Sequence, residues 1–166
     1  MATGRDNQLT KQIGEYLVAA ELCRRGFIAT TFTGNVPHFD IIALNASGRH
    51  QAIQVKAITG GSWQFDSRAF ATIRLDGKKQ VIGQPAEAPY LDLVCVFVRL
   101  RGHGADEFYI LTWTDLQKIA IADYRRYLEI HGGVRPRKHD SFHMAIRPEM
   151  LKDRRDKWDV LDSRLR

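Results

Sequence analysis

The residues best suited to chemistry cluster around Ala52-Ile53-Gln54-Val55-Lys56-Ala57. The stretch reads as a β-strand, so its side chains alternate between two faces. Ile53, Val55 and Ala57 share a face that joins a core. Gln54 and Lys56 share the other, and an amide and an ammonium inside an apolar segment need a polar destination. Asp40, in Phe39-Asp40-Ile41-Ile42-Ala43-Leu44, is one candidate partner, and Glu15, in the first helical segment, is a second. Four such groups converging on one wall would make a metal-dependent site for cleaving phosphodiesters.

Cleavage of a phosphodiester requires charge on the phosphoryl oxygens to be neutralised, water to be deprotonated near neutral pH, and the leaving oxygen to be stabilised. One or two Mg²⁺ (or Mn²⁺) ions do much of this as Lewis acids and as a template. Mg²⁺ takes oxygen ligands and keeps several waters. Asp40 is the natural carboxylate anchor. The side-chain oxygen of Gln54 and the backbone carbonyl of Val55 add ligands. Lys56 would orient or help activate the water and offset phosphate charge. Glu15 would hold a second ion or a water of the first ion's shell. The structural alternatives are a Glu15 bonded to a backbone amide or an arginine, and an Asp40 that merely starts a turn.

The elements that must position these groups follow from patterning. Residues 1–9 are polar and expected to be loose. Thr10 caps a helix to about Arg25, closed by Gly26. On a helical wheel, Ile13, Tyr16, Val18, Ala19, Ala20, Leu22 and Cys23 form a wide apolar arc that encloses Glu15, while Thr10, Gly14, Glu21, Arg24 and Arg25 mark the opposite side. Phe27–Thr33 and Phe39–Leu44 read as strands separated by a turn at Gly34-Asn35-Val36-Pro37, and residues 51–57 close a three-strand meander. Residues 62–89 are ambiguous between a short helix near 67–74 and irregular strands, with Gln84–Pro89 a connector. Asp92–Leu100 and Phe108–Trp113 are strands, the first buried. Thr114 caps a helix to about Ile130, ended by His131-Gly132-Gly133. Phe142–Ile146 is a short strand, and Pro148–Leu165 a polar helix.

The order Glu15, Asp40, then Gln54-x-Lys56 resembles the PD-(D/E)XK nuclease superfamily. Gly14-Glu15-Tyr16-Leu17-Val18-Ala19-Ala20-Glu21-Leu22 with Arg25-Gly26-Phe27 is similar to the first helix and strand of archaeal-type Holliday junction resolvases. Phe39-Asp40-Ile41-Ile42-Ala43 with Ile53-Gln54-Val55-Lys56 is similar to Mrr-type nucleases. The resemblance spans roughly residues 10–113. It implies an α/β restriction-endonuclease-like core, with a mixed central sheet of about five strands flanked by helices. It also implies Mg²⁺-dependent endonuclease activity on DNA, leaving 5′-phosphate ends, and by analogy a homodimer that cuts two strands. Two departures stand out. Pro37 lies three residues before Asp40 instead of beside it, and Gln54 replaces the motif's acidic residue, leaving the metal one negative charge fewer.

The bulk properties agree with a DNA-binding enzyme. The 166 residues suggest a single domain, with 1–133 as a nuclease-like core and 134–166 as a basic extension packed on it. The net charge is +6 with a pI near 9.5. Residues 1–132 hold 15 Lys/Arg against 13 Asp/Glu, and residues 133–166 hold 10 against 6, so the excess is mostly C-terminal. A cationic surface favours phosphate backbones through counterion release. Lys78 and Lys79, at a loop tip, and Arg135, Arg137 and Lys138 are the candidate phosphate contacts. RNA stays open as a substrate. No apolar run approaches the length of a membrane helix, and no apolar signal segment follows Met1, so a cytoplasmic protein without membrane partners is expected. Cys23 and Cys95 are expected to be reduced and packed as small hydrophobes. Two further readings compete: a non-catalytic nucleic-acid-binding or assembly module on the same fold, and a buried salt-bridge network with no function beyond stability.

Overall fold

The computed structural model describes residues 4–32 and 37–166. Its central strands are β1 (Ile28–Thr31), β2 (Ile41–Leu44), β3 (His50–Ile58), β7 (Val94–Arg99) and β8 (Glu107–Thr112). They form a five-stranded mixed sheet in the order β1-β2-β3-β7-β8. β1, β2 and β3 make the expected antiparallel meander, β7 runs parallel to β3, and β8 returns antiparallel to β7. Helix α1 (Gly4–Arg24) precedes the sheet, α2 (Trp113–Ile130) follows it, and α3 (Asp159–Leu165) ends the chain. The fold is α/β with helices on both faces, as the sequence implies.

Strand alternation splits the core in two. Ile53, Val55, Val94, Val96 and Ile110 face α1 and α3, meeting Val18, Leu22, Leu161 and Leu165. Ala52, Cys95, Phe97 and Leu111 face α2, together with Trp63, Phe70, Trp113 and Leu116. Val94 to Val98 are all buried, which explains the unbroken apolar run of β7. On the α2 side the segment of ambiguous pattern resolves into β4 (Trp63–Asp66), a 3-10 turn, and a hairpin of β5 (Ala71–Asp76) and β6 (Lys79–Pro85). β4 pairs with β9 (His143–Ile146), so the segment after α2 is joined to the core by a strand pair as well as by α3.

Several expectations are corrected. Helix α1 begins six residues before Thr10. No helix breaker separates Gly4 from Thr10, and Asp6 sits in the first turn, where a carboxylate suits the helix dipole. Gly14 is on the buried side, with Val18 and Leu22, whereas Ile13, Tyr16, Ala20 and Cys23 are exposed. A helical wheel centres the apolar arc wrongly because it counts a glycine as polar. Here the glycine is the contact point: a Cβ on Gly14 would lie 2.5 Å from the Ala57 Cβ. Gln84 and Pro85 belong to β6, with proline tolerated at the strand end. Helix α2 starts at Trp113 and is capped by Thr112 instead of Thr114, because the Thr112 hydroxyl accepts from the Asp115 amide at 3.1 Å. Pro148–Leu165 is a 3-10 stretch (Pro148–Arg154) and then α3. Asp156, at φ +53°, breaks the run, and its amide bonds the Phe108 carbonyl on β8 at 2.9 Å. The expected turn at Gly34-Asn35-Val36 and the loose residues 1–3 lie outside the described residues.

Candidate active site

β2 is shorter than the strand beside it, and the site follows from that. Its last pairing is Ile41 with Ile53, whereas β3 continues to Ile58. Among the described residues no strand pairs with the β2-facing edge of β3 beyond Ile53. Asp40 sits at this corner. Its amide donates to the Ile53 carbonyl at 2.9 Å, and its Oδ2 accepts the Val55 amide at 2.9 Å. A side chain thus extends the ladder by one rung where the strand has stopped. Backbone N–H and C=O of one strand residue point to the same side. The Val55 carbonyl is therefore directed to the edge where Asp40 stands.

Helix α1 brings Glu15 to the same corner. Gly14 lets the helix touch β3 at Ala57, and Glu15 is the next residue. The Lys11 ammonium links the two carboxylates, lying 3.2 Å from Asp40 Oδ1 and 3.5 Å from Glu15 Oε1. The acidic side chains are only 14% (Glu15) and 16% (Asp40) exposed, while Lys11 is 56% exposed. Burial, and then the Asp40 charge, raise the Glu15 carboxyl above its ordinary value against the pull of Lys11. Burial works against the Lys11 ammonium, but Asp40 and Glu15 outweigh it and hold it above its ordinary value.

Gln54 and Lys56 leave β3 on the α2 face. The Gln54 Nε2 donates to the His38 carbonyl at 3.4 Å. The Lys56 ammonium lies over the Phe65 ring, 5.1 Å from its centroid, and not in an ion pair with either carboxylate. Its own carbonyl accepts the Trp63 indole N–H at 2.9 Å, so β4 anchors this lysine at both ends. Cys95, opposite Gln54 on β7, reports the shared neighbourhood. Burial pushes its thiol up to about 12, Lys56 pulls it down and Asp40 pushes it further up. Glu15 and Asp40 are therefore in direct company, with Gln54 and Lys56 on the adjoining face. Among the described residues no third His, Cys, Asp or Glu joins the two carboxylates as a metal cluster.

The candidate phosphate contacts lie elsewhere on the α2 side. Lys78 and Lys79 are exposed at the β5–β6 turn, and Arg137 and Lys138 are exposed in the loop after α2. One buried side chain joins the two segments. Gln80, 4% exposed, donates to the carbonyls of His139 and Ser141 at 2.6 and 2.9 Å and accepts the Tyr124 hydroxyl at 2.6 Å. Its backbone N–H also donates to the Gly133 carbonyl at 2.8 Å. Arg135 differs from its neighbours. It donates to the Tyr124 hydroxyl and the His143 carbonyl and stacks 5.4 Å from the Tyr127 ring, so it braces the loop from within. Arg154 and Arg155 are paired with Asp115 and Glu107.

Sequence reasoning misses Lys11 and Gln80. Lys11 stands four residues before Glu15, a spacing that announces a helical ion pair. Gln80 gives no such signal. Of the two cysteines, Cys23 is exposed, contrary to expectation, and Cys95 is buried. Among the described residues no helix is long and apolar enough to cross a membrane.

No protein-family model and no curated protein matches the chain. Among solved structures, the bacterial homing endonuclease I-Ssp6803I is similar with a TM-score of 0.48 and 11% sequence identity, over 93% of this chain and 91% of that one.

Proposed function

We propose that the chain is a metal-dependent endonuclease that hydrolyses DNA phosphodiester bonds at the open edge of β3. The observation that carries this reading is the meeting of Glu15 and Asp40 at that edge, with a cation already between them. Two carboxylates held side by side in a half-buried corner repel each other, and a cation bound between them offsets that cost. The donor set fits Mg²⁺ or Mn²⁺. It offers two carboxylates, the Val55 carbonyl and the Gln54 side-chain oxygen, all hard oxygens, and Mg²⁺ completes its shell with water. When bound, the ion supplies Lewis-acid charge to the phosphoryl group.

The chain's own residues do the remainder. The backbone amide of Val55 fixes Asp40, so the carboxylate needs no reorganisation when a phosphate arrives. Lys56, held over Phe65 and carrying no competing carboxylate, orients the attacking water and offsets charge on the phosphoryl oxygens. Glu15, whose proton is bound more tightly than usual, is suited to accept one from that water. Lys78, Lys79, Arg137 and Lys138 hold the backbone of the duplex away from the reacting bond. Cutting both strands calls for two such sites, so a homodimer is part of the proposal.

A cleavage panel of branched, duplex and single-stranded DNA with Mg²⁺ or Mn²⁺ tests it. The wild type should yield 5′-phosphate ends on at least one substrate. Lys56→Ala should lose cleavage while keeping DNA affinity and melting temperature. Full activity in Lys56→Ala would remove the assigned role, and a wild type inert with every substrate and both ions would remove the enzyme.

A further inference from the structure

We infer that Lys11 is a resident counter-ion of this site, a cation on the chain itself that holds the Glu15–Asp40 pair together until a divalent ion takes its place. The inference rests on the proposed reading of the site and adds a residue to it. Three features carry it. First, Lys11 is in contact with both carboxylates, at 3.5 Å from Glu15 and 3.2 Å from Asp40, and the Asp40 charge acts on Glu15. Second, of the two Asp40 oxygens, Oδ2 is committed to the Val55 amide, and the remaining Oδ1 faces the Lys11 ammonium. Lys11 thus covers the oxygen that an incoming metal would need. Third, the lysine is free to leave. Its side chain is 56% exposed, whereas its partners are 14% and 16% exposed.

The residue type matters here. An arginine would grip a carboxylate through a planar, two-pronged contact, but a lysine is a hydrated point charge on a flexible stem and yields more readily. An ammonium and a divalent cation crowded onto one carboxylate oxygen repel each other. Binding of the ion therefore displaces Lys11, and the apparent affinity is weakened by that competition. Lys11 stays within reach after displacement, because α1 fixes its backbone one turn from Glu15. The expected design is a site that remains assembled without metal and takes up metal only where the ion is abundant.

Calorimetric titration of the full chain with Mn²⁺, on wild type, Lys11→Met and Lys11→Arg, tests this. Removing the ammonium that competes for Asp40 Oδ1 should tighten binding by roughly tenfold in Lys11→Met. Lys11→Arg should bind at wild-type strength or more weakly. Without metal, Lys11→Met should melt lower than wild type, and Mn²⁺ should raise its melting temperature more than that of wild type. Unchanged or weaker Mn²⁺ binding by a folded Lys11→Met would overturn the inference and leave the enzyme reading standing. Absence of Mn²⁺ binding by every variant, wild type included, would end both.

Discussion

The acidic corner at the end of β2 and the basic surface around Gln80 solve opposite problems. At the corner, charged groups are tied down: Asp40 by a backbone amide, Glu15 and Asp40 by Lys11, and Lys56 by an aromatic ring. At the basic surface the fixed residue is neutral. The Gln80 amide takes the buried position and the hydrogen bonds, while Lys78, Lys79, Arg137 and Lys138 stay exposed. The contrast follows from what each region would contact. A reacting phosphorus needs ligands within fractions of an ångström. A phosphate backbone is a line of charge that flexible side chains can follow, and its binding depends on how many cations reach it.

The largest expected effect comes from breaking the corner. Asp40→Ala should abolish Mn²⁺ uptake in calorimetry. It should also lower stability by about 1–3 kcal/mol, because the Val55 amide is left without its acceptor. Asp40→Asn separates the two effects, since the amide oxygen can still accept from Val55. It should melt close to wild type and still lose the ion, and normal Mn²⁺ binding by this variant would break the contrast drawn between the regions.

Next in size is Gln80→Leu. Three side-chain hydrogen bonds disappear inside a sealed space, so a loss of about 1–3 kcal/mol is expected in chemical denaturation. DNA affinity should weaken, and the slope of log affinity against log salt should flatten, by about one for each phosphate that the displaced cations no longer neutralise. Mn²⁺ uptake should not change. A change in metal binding would mean that the two regions are not independent.

The smallest effect sharpens the comparison through pH. The Glu15 carboxyl is raised in the folded chain, so the native state binds its proton more tightly than the unfolded state does. Its contribution to stability is then fully present below the ordinary carboxylate value and is lost as pH rises through the raised one. Glu15→Gln should accordingly melt above wild type at neutral pH, with the difference vanishing below about pH 4. A variant that is less stable at neutral pH would show that Lys11 more than offsets the repulsion.

Much of the frame is legible in the sequence. Strand β7 announces itself by an uninterrupted apolar run, and Asp40 by interrupting one. Glu15 and Lys56 are each conspicuous as a charge inside an apolar pattern. The hidden parts depend on distant segments. Where β2 stops decides that Asp40 takes the Val55 amide, and no local propensity encodes that. Gly14 looks like a surface residue because a missing side chain has no hydrophobicity, yet its absence of a Cβ sets the distance from α1 to β3. Gln80 is an amide between a lysine and a valine, and its partners lie on α2 and in loop 131–142, far along the chain. The C-terminal helix divides because β8 offers the Phe108 carbonyl to Asp156, a competitor that helical pattern cannot register.

The bare stretch of β3 has a cost outside catalysis. An unpaired strand edge invites a neighbouring molecule to dock its own strand there, which is how soluble sheets begin to aggregate. The carboxylate of Asp40 interrupts that invitation by taking the Val55 donor, and the negative charge it brings deters a second backbone. The same side chain would then serve as a guard of solubility as well as a ligand. Asp40→Ala should show this as self-association in sedimentation at concentrations where Lys56→Ala, which leaves the edge defended, stays dispersed.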